Sequence, residues 1–88
     1  MAFYSFVFKP SVRKDLRSLP KPMVARVMKQ IESLRDNPFP SRSIKLAGTE
    51  ELYRIRVGDY RVVYGVNTEE KEVTVHYVRH LREVYRGL

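Results

Sequence analysis

The spacing of apolar residues changes from a helical period to an alternating one near Ser43, and this change limits the folds that the chain can adopt. Before Ser43, apolar residues recur every three or four positions, which places them along one face of a helix. From Leu52 onwards, apolar and polar residues alternate, which places them on the two faces of a strand. The sequence therefore predicts an α+β fold in which helices pack on one face of an antiparallel sheet.

The first part of the chain predicts one strand and two helices. The aromatic and β-branched run at residues 3–8 is typical of a strand. Ser11 is the expected N-cap of the first helix, and Leu19-Pro20 ends it, because a proline disfavours helical geometry in the residue before it. The second helix carries one apolar stripe, which consists of Val24, Val27, Met28, Ile31 and Leu34. Residues 11–36 are therefore predicted to form a helical hairpin.

The second part of the chain predicts three consecutive strands. These strands cover residues 52–57, 60–66 and 72–78. Gly58-Asp59 suits a tight turn between the first two, since glycine tolerates the positive φ that such a turn requires. A short helix within residues 79–86 is expected to follow. The predicted order is β-α-α-β-β-β with a short C-terminal helix, in one domain that spans residues 1–88.

The composition excludes several classes of protein. The 88 residues hold no cysteine and no apolar run of membrane-spanning length, so we expect neither disulfides nor a membrane span. No glycine-rich phosphate loop is present, and His76 and His80 lack a third metal ligand, so neither a cofactor nor a metal is expected. These absences favour a cytoplasmic protein, and the net charge of +7 predicts that its partners are polyanions or acidic proteins.

The positive charge is unevenly distributed along the chain. Residues 1–44 hold nine Lys and Arg against three acidic residues, whereas residues 45–88 hold eight against seven. Most of the charge surplus therefore lies on the predicted helical hairpin. The nearly neutral second part holds the residues that are candidates for chemistry.

Three arginines on the predicted hairpin of strands form the main candidate site. In a hairpin that turns at Gly58-Asp59, Arg56 lies opposite Arg61 on one face, and Arg54 shares that face. Like charges directly opposite each other destabilise a sheet, so a bound anion would explain the pair, and phosphate matches the planar donors of arginine. The other explanation is an exposed face on which these arginines lie along the sheet or pair with nearby glutamates.

The C-terminal segment supplies further candidates, namely Arg79, His80, Arg82 and Tyr85. Tyr85 could stack on a base or exchange a proton, or it could close the small core as an amphipathic aromatic residue. His80 has the ordinary pKa of a general acid or base near neutrality, although a histidine near a chain end is more often a surface residue. The segment therefore allows both a functional and a structural interpretation.

Three motifs resemble the signature of the RelE/ParE toxin superfamily. They are Lys45-Leu46-x-Gly48, Leu52-Tyr53-Arg54-Ile55-Arg56 and Gly58-Asp59-Tyr60-Arg61-Val62-Val63-Tyr64. The ending Arg79-His80-Leu81-Arg82-Glu83-Val84-Tyr85-Arg86 is similar to that of the RelE branch, whose members often finish in a His-Arg-Arg-Glu-Val-Tyr-like run. Order and spacing match over essentially the whole chain, including the first strand and the helical hairpin.

The resemblance implies a fold similar to microbial ribonucleases and the activity of a ribosome-dependent endoribonuclease. RelE-like toxins cleave mRNA in the ribosomal A site, where the 2′-OH attacks the neighbouring phosphate and a 5′-OH leaves. This cleavage inhibits translation. The resemblance further implies a cognate acidic, RelB-like antitoxin that wraps the toxin and blocks it in a hetero-oligomeric complex.

The resemblance also assigns a site, which consists of Arg54, Arg56, Arg61, Tyr85 and one of Arg79 and Arg82. Leu81 stands where many relatives have arginine, so that assignment does not carry over. We expect Arg61, assisted by Arg56 and Arg79, to stabilise the charge on the phosphate oxygens in the transition state. Because arginine is not deprotonated in proteins, the 2′-OH proton passes to Tyr85, to His80 or to no single protein group.

Two other functions remain open at this point. A ParE-like toxin would poison DNA gyrase by protein binding and would need no ribonuclease residues. A non-catalytic relic of the same fold would only bind RNA or an antitoxin. The retained Arg54, Arg56, Arg61 and Tyr85 favour the nuclease.

Overall fold

The predicted helical hairpin and the three consecutive strands are present in the computed structural model of the chain, which describes residues 3–46 and 52–81. The elements are β1 (Ser5–Phe8), α1 (Pro10–Arg17), α2 (Lys21–Glu32), a 3₁₀ turn (Ser33–Arg35), β2 (Ile44–Lys45), β3 (Leu52–Val57), β4 (Tyr60–Asn67) and β5 (Glu72–His80). β5 continues through Arg79 and His80, so the predicted helix does not begin at Arg79. Leu81 is helical, and the rest of that prediction, residues 82–86, lies outside the described residues.

The strands form one five-stranded sheet in the order β1-β5-β4-β3-β2. β3, β4 and β5 pair in antiparallel fashion, as predicted, and β2 is antiparallel to β3. The prediction of a fully antiparallel sheet is wrong for β1, which runs parallel to β5 and pairs with it from Ser5 to Phe8. The sequence pattern identified β1 as a strand, but its direction depends on the long connection through the helices and the other strands. The short strand β2 was not predicted.

Helix α1 begins two residues earlier than the sequence indicated. Lys9 occupies the N-cap position and Pro10 the first turn, where the missing N–H of proline costs no hydrogen bond. The prediction of Ser11 as the N-cap is therefore wrong. The Ser11 hydroxyl instead donates a hydrogen bond of 2.7 Å to the carbonyl oxygen of His76 on β5.

The outer edge of β5 is covered in two ways along its length. Its first half pairs with β1 as far as Val75. Beyond that point α1 lies beside the strand, where Ser11 bonds to His76 and a carboxylate oxygen of Asp15 accepts a 3.0 Å hydrogen bond from the N–H of Val78. The side chains of α1 thus satisfy edge groups that a further strand would otherwise pair.

A β-bulge on β5 changes which of its residues face the helices. Val63 pairs with Tyr77 but the next residue, Tyr64, pairs with Val75, so His76 is an extra residue in the ladder. Val75 lies in the core before the bulge and Val78 after it. Odd-numbered positions therefore face the core before His76, and even-numbered positions do so after it.

The core lies between the helices and one face of the sheet. Its fully buried members are Val12, Val27, Ile31, Leu34, Ile55, Val62, Tyr64, Val73, Val75 and Val78. Tyr64 is the largest of them, and its hydroxyl donates a 2.8 Å hydrogen bond to the carbonyl oxygen of Pro38. Burial raises the pKa of the Tyr64 phenol, since the ionised form is poorly solvated there. This bond ties the loop after the 3₁₀ turn to the centre of the sheet.

We expect Tyr64→Phe to lower the free energy of unfolding by about 1–2 kcal/mol, because it leaves the Pro38 carbonyl without its donor while the ring still fills the core. Urea denaturation measures this change. Tyr53→Phe is the matched control, since Tyr53 stacks on Tyr64 with ring centroids 6.0 Å apart and is only half-buried. Equal losses for the two variants would contradict the role of the Pro38 bond.

Candidate active site

A row of three arginines crosses three adjacent strands on the open face of the sheet, which is the face turned away from the helices. Arg56 pairs with Arg61, as predicted from the turn, and Arg61 pairs with Arg79 on the next strand. Like charges at directly paired positions, whose Cα atoms are roughly 4.5–5.5 Å apart, are unfavourable in a sheet. This arginine row carries planar guanidinium donors of the kind that can hold a phosphate.

A second row lies beside the first on the same face, and it consists of Arg54, Val63 and Tyr77. Val63 is only 3% exposed, which gives the open face an apolar floor. The guanidinium carbon of Arg79 lies 4.4 Å from the centroid of the Tyr77 ring, a cation–π contact that holds Arg79 over this face. Sequence analysis missed Tyr77. Its position two residues before Arg79 on one strand is the signal that would have placed it on the same face.

The arginines of the hairpin are not equivalent. The Nε atoms of Arg54 and Arg61 are buried, so the stems of both side chains lie close against the sheet. Arg56 is exposed, and its Nε donates a 2.8 Å hydrogen bond to the carbonyl oxygen of Gly58 at the hairpin tip. The backbone of Arg56 thus belongs to the arginine row, but this bond draws its guanidinium towards the turn.

His80 lies away from these arginines. It pairs with Tyr60, and the two rings meet edge to face with centroids 5.2 Å apart. Strand alternation puts His80 on the helix side, where it lines a small cavity together with Asp15 and Leu19. Arg79 lines the same cavity, but the His80 ring lies on the helix side of the sheet, whereas the arginine row lies on the open face. The other two sequence-predicted site residues, Arg82 and Tyr85, lie outside the described residues.

An apolar groove of about 540 Å³ adjoins the two rows on the open face. Its walls are formed by Lys9, Pro10, Ser11, Leu46, Leu52, Val63, His76 and Tyr77. The open face thus combines guanidinium groups at one end with apolar and aromatic surface at the other. Such a surface can hold a phosphate while a neighbouring base lies against Tyr77.

The part of the chain that the structure describes contains neither a metal-binding cluster nor a membrane-spanning helix. No group of three or more His, Cys, Asp or Glu side chains in residues 3–46 and 52–81 is placed to hold a metal ion. No helix in the same ranges has the length and apolar character needed to cross a membrane.

Comparisons with known proteins give matches over most of the chain. The family model of the ParE toxin of the type II toxin-antitoxin system parDE matches residues 6–85. A Methanocaldococcus jannaschii protein that carries the toxin name RelE1 is 31% identical over 79 residues, which cover 86% of this chain and 88% of that protein.

Solved structures share the fold at similar levels of identity. RelE in the archaeal RelE-RelB complex from Pyrococcus horikoshii OT3 is 36% identical with a TM-score of 0.79, over 91% of this chain and 96% of that chain. The isolated E. coli RelE toxin is 26% identical with a TM-score of 0.77, over 97% of this chain and 99% of that chain. These matches include the sheet that carries the arginine row.

The histidine at the bulge makes stability depend on pH. Burial, and secondarily the charge of Lys9, lower the pKa of His76 below its ordinary value of 6.5. The unfolded chain therefore takes up a proton at His76 more readily than the folded chain does. Protonation of His76 thus lowers the free energy of unfolding as the pH falls below about 6.5, and this loss is absent at higher pH. We expect His76→Gln to reduce the loss of Tm between about pH 7.5 and pH 5.5. An unchanged pH dependence of Tm in the variant would contradict this assignment.

Proposed function

Because this chain belongs to the RelE/ParE toxin superfamily of type II toxin-antitoxin systems, we propose that it is a ribosome-dependent endoribonuclease that cleaves mRNA in the A site and inhibits translation. The single observation that carries the proposal is the arginine row, in which Arg56, Arg61 and Arg79 occupy paired positions on three strands. A toxin that acted only by binding a protein would not need three paired arginines on an open face.

The proposed reaction is an attack of the 2′-OH on the neighbouring phosphorus. The 2′-OH loses its proton as a bond forms between the 2′ oxygen and phosphorus. The bond from phosphorus to the 5′ oxygen breaks and the leaving 5′ oxygen takes up a proton, so the step gains and loses one proton. Additional negative charge develops on the phosphate oxygens in the transition state, where guanidinium donors already in position stabilise it. Arg61 is assigned this role because it lies at the centre of the row, with Arg79 held beside it by Tyr77.

Proton transfer is assigned to Tyr85 rather than to His80. Arginine stays protonated at all relevant pH values, so the arginine row supplies charge and no base. His80 packs edge to face against Tyr60 on the helix side of the sheet. Its position therefore supports Tyr85, or no single protein group, as the participant in proton transfer.

Dependence on the ribosome is consistent with the composition of the site. Among the described residues, the two rows contain arginine, valine and tyrosine but no carboxylate or imidazole. A site that stabilises charge without a strong base gains most of its rate from a substrate already held in a reactive geometry. The ribosome supplies that geometry, which also places the toxin in the cytoplasm.

The proposed regulatory partner is a cognate acidic antitoxin. RelE of Pyrococcus horikoshii was solved in complex with RelB, and that RelE shares 36% identity with this chain. The net charge of +7 favours association with an acidic chain. We therefore propose a RelB-like antitoxin that blocks the open face in a hetero-oligomeric complex.

A second candidate function is poisoning of DNA gyrase. The observation that favours it is the match of residues 6–85 to a family described as the ParE toxin of parDE. Induction of the chain in cells separates the two functions: we expect amino-acid incorporation to stop before DNA synthesis. If DNA synthesis stops first, the ribonuclease proposal is wrong and gyrase is the target.

We expect Arg61→Ala to reduce mRNA cleavage by a factor on the order of 100–1000, because it removes a donor from the developing charge. Primer extension on mRNA in a purified translation system measures cleavage, and thermal unfolding checks that the variant is folded. Arg13→Ala, which removes an exposed arginine of α1, is the control for net charge and should cleave almost as wild type does. Equal cleavage by Arg61→Ala and wild type would eliminate the phosphate role of Arg61.

We expect Tyr85→Phe to reduce cleavage at least tenfold while the aromatic ring is kept, since the variant loses only the phenol hydroxyl group, which exchanges the proton. His80→Gln is the matched comparison and should keep nearly the wild-type rate, because His80 lies on the opposite face. The same primer-extension assay measures both variants. If His80→Gln cleaves mRNA slowly while Tyr85→Phe cleaves it at the wild-type rate, the roles of the two residues are reversed.

A further inference from the structure

A basic cleft of about 390 Å³ lies at the tip of the β3–β4 hairpin, beside the arginine row. It is lined by Arg26, Lys29, Gln30, Arg42, Arg56, Val57 and Gly58. These residues come from α2, from the loop before β2 and from the hairpin, so they are distant in sequence. The described lining contains four cations and no carboxylate.

Two cations of the basic cleft, Arg42 and Arg56, form hydrogen bonds with neutral groups. An amino group of Arg42 donates hydrogen bonds to the side-chain oxygen of Gln30 and, at 3.2 Å, to the hydroxyl of Ser33. Arg26 and Lys29 lie three residues apart on α2, so they project from the same side of that helix. Part of the conformational entropy of the Arg42 side chain is therefore lost before any ligand arrives.

The hairpin tip comes close to α2 at Gly58. Gly58 has φ = +60°, and a Cβ atom there would lie 3.3 Å from Cε of Met23 and 3.6 Å from Nη1 of Arg26. The guanidinium of Arg26 is thus next to the turn, to which Arg56 is bonded through Nε. Arginine has five N–H donors, and this bond uses one of those of Arg56.

We propose that the basic cleft binds a second backbone phosphate of the RNA strand, adjacent to the phosphate that is cleaved. The proposal rests on the proposed ribonuclease function and extends it to a site outside the arginine row. Arg56 connects the two sites, since its backbone pairs with Arg61 while its guanidinium is bonded at the tip. An RNA strand can therefore pass from the arginine row around the edge of β3 into the cleft.

The chemistry of the cleft favours phosphate as its ligand. Guanidinium groups provide directional donors for phosphate oxygens, and lysine adds a compact charge. The donors converge from three segments, which suits an anion whose oxygens point in several directions. A phosphate held there fixes the register of the strand without reading its bases.

The test measures binding of a single-stranded RNA that carries 2′-O-methyl groups throughout and therefore cannot be cleaved. The double variant R26Q/K29Q removes two exposed cations of the cleft, and R13Q/K14Q removes two exposed cations of α1 as a control of equal charge. We expect the cleft variant to bind about tenfold more weakly and to lose about 0.7 from the slope of log affinity against log salt, as for one phosphate contact. The control should stay within about twofold of wild type under the same conditions.

The possible outcomes separate the cleft from the proposed nuclease activity. Equal weakening by both double variants overturns the proposal, because bulk charge would then explain binding. The proposal is also wrong if R26Q/K29Q binds RNA as wild type does but no longer binds a synthetic glutamate decapeptide. That result would mean that the cleft binds an acidic protein. Weakened RNA binding only in the cleft variant supports the site even if wild type cleaves no mRNA. If R26Q/K29Q binds RNA as wild type does but Arg61→Ala still abolishes cleavage, the cleft proposal is wrong and the nuclease proposal stands.

Discussion

The hydrogen bonds between α1 and β5 at the bulge determine how the rest of the molecule is arranged. Ser11 and Asp15 bond to backbone groups of His76 and Val78, beyond the point where β1 stops pairing. The extra residue at His76 shifts the alternation of the strand by one, so every later side chain changes face. Without that shift, Arg79 would point into the apolar core and Val78 towards solvent. The arginine row exists because the bulge is present and α1 covers the edge there.

The two faces of the sheet affect the stability of the fold in opposite directions. The helix side buries valines and Tyr64, which provides the apolar burial that a domain of this size needs. The open face carries paired like charges, which oppose folding. Apolar burial on the helix side thus offsets the repulsion between the paired arginines on the open face. Sites that bind charged ligands commonly have this property.

The sequence was sufficient to predict those features of the structure that depend on residues close together along the chain. The two-residue turn and strict alternation around Gly58 predicted the pairing of Arg56 with Arg61 correctly. The parallel direction of β1 and the approach of Arg42 to α2 depend on distant segments, so no local pattern contained them. The bulge had a local signal that was missed: core valines at 73 and 75 are followed by one at 78, which breaks the period of two. The side of the sheet on which His80 lies follows from the same break.

The parallel pairing of β1 with β5 also has a consequence for the order of events during synthesis. Ser5 pairs with Glu72, so the first strand lacks its partner until nearly all of the sheet-forming sequence has left the ribosome. Contacts between such distant residues form late and slow the folding of a small domain. Arg79 belongs to the same last strand, so a partly translated chain has neither a closed sheet nor three arginines in line. Strand order thus delays assembly of the arginine row until β5 has been synthesised and can pair with β4.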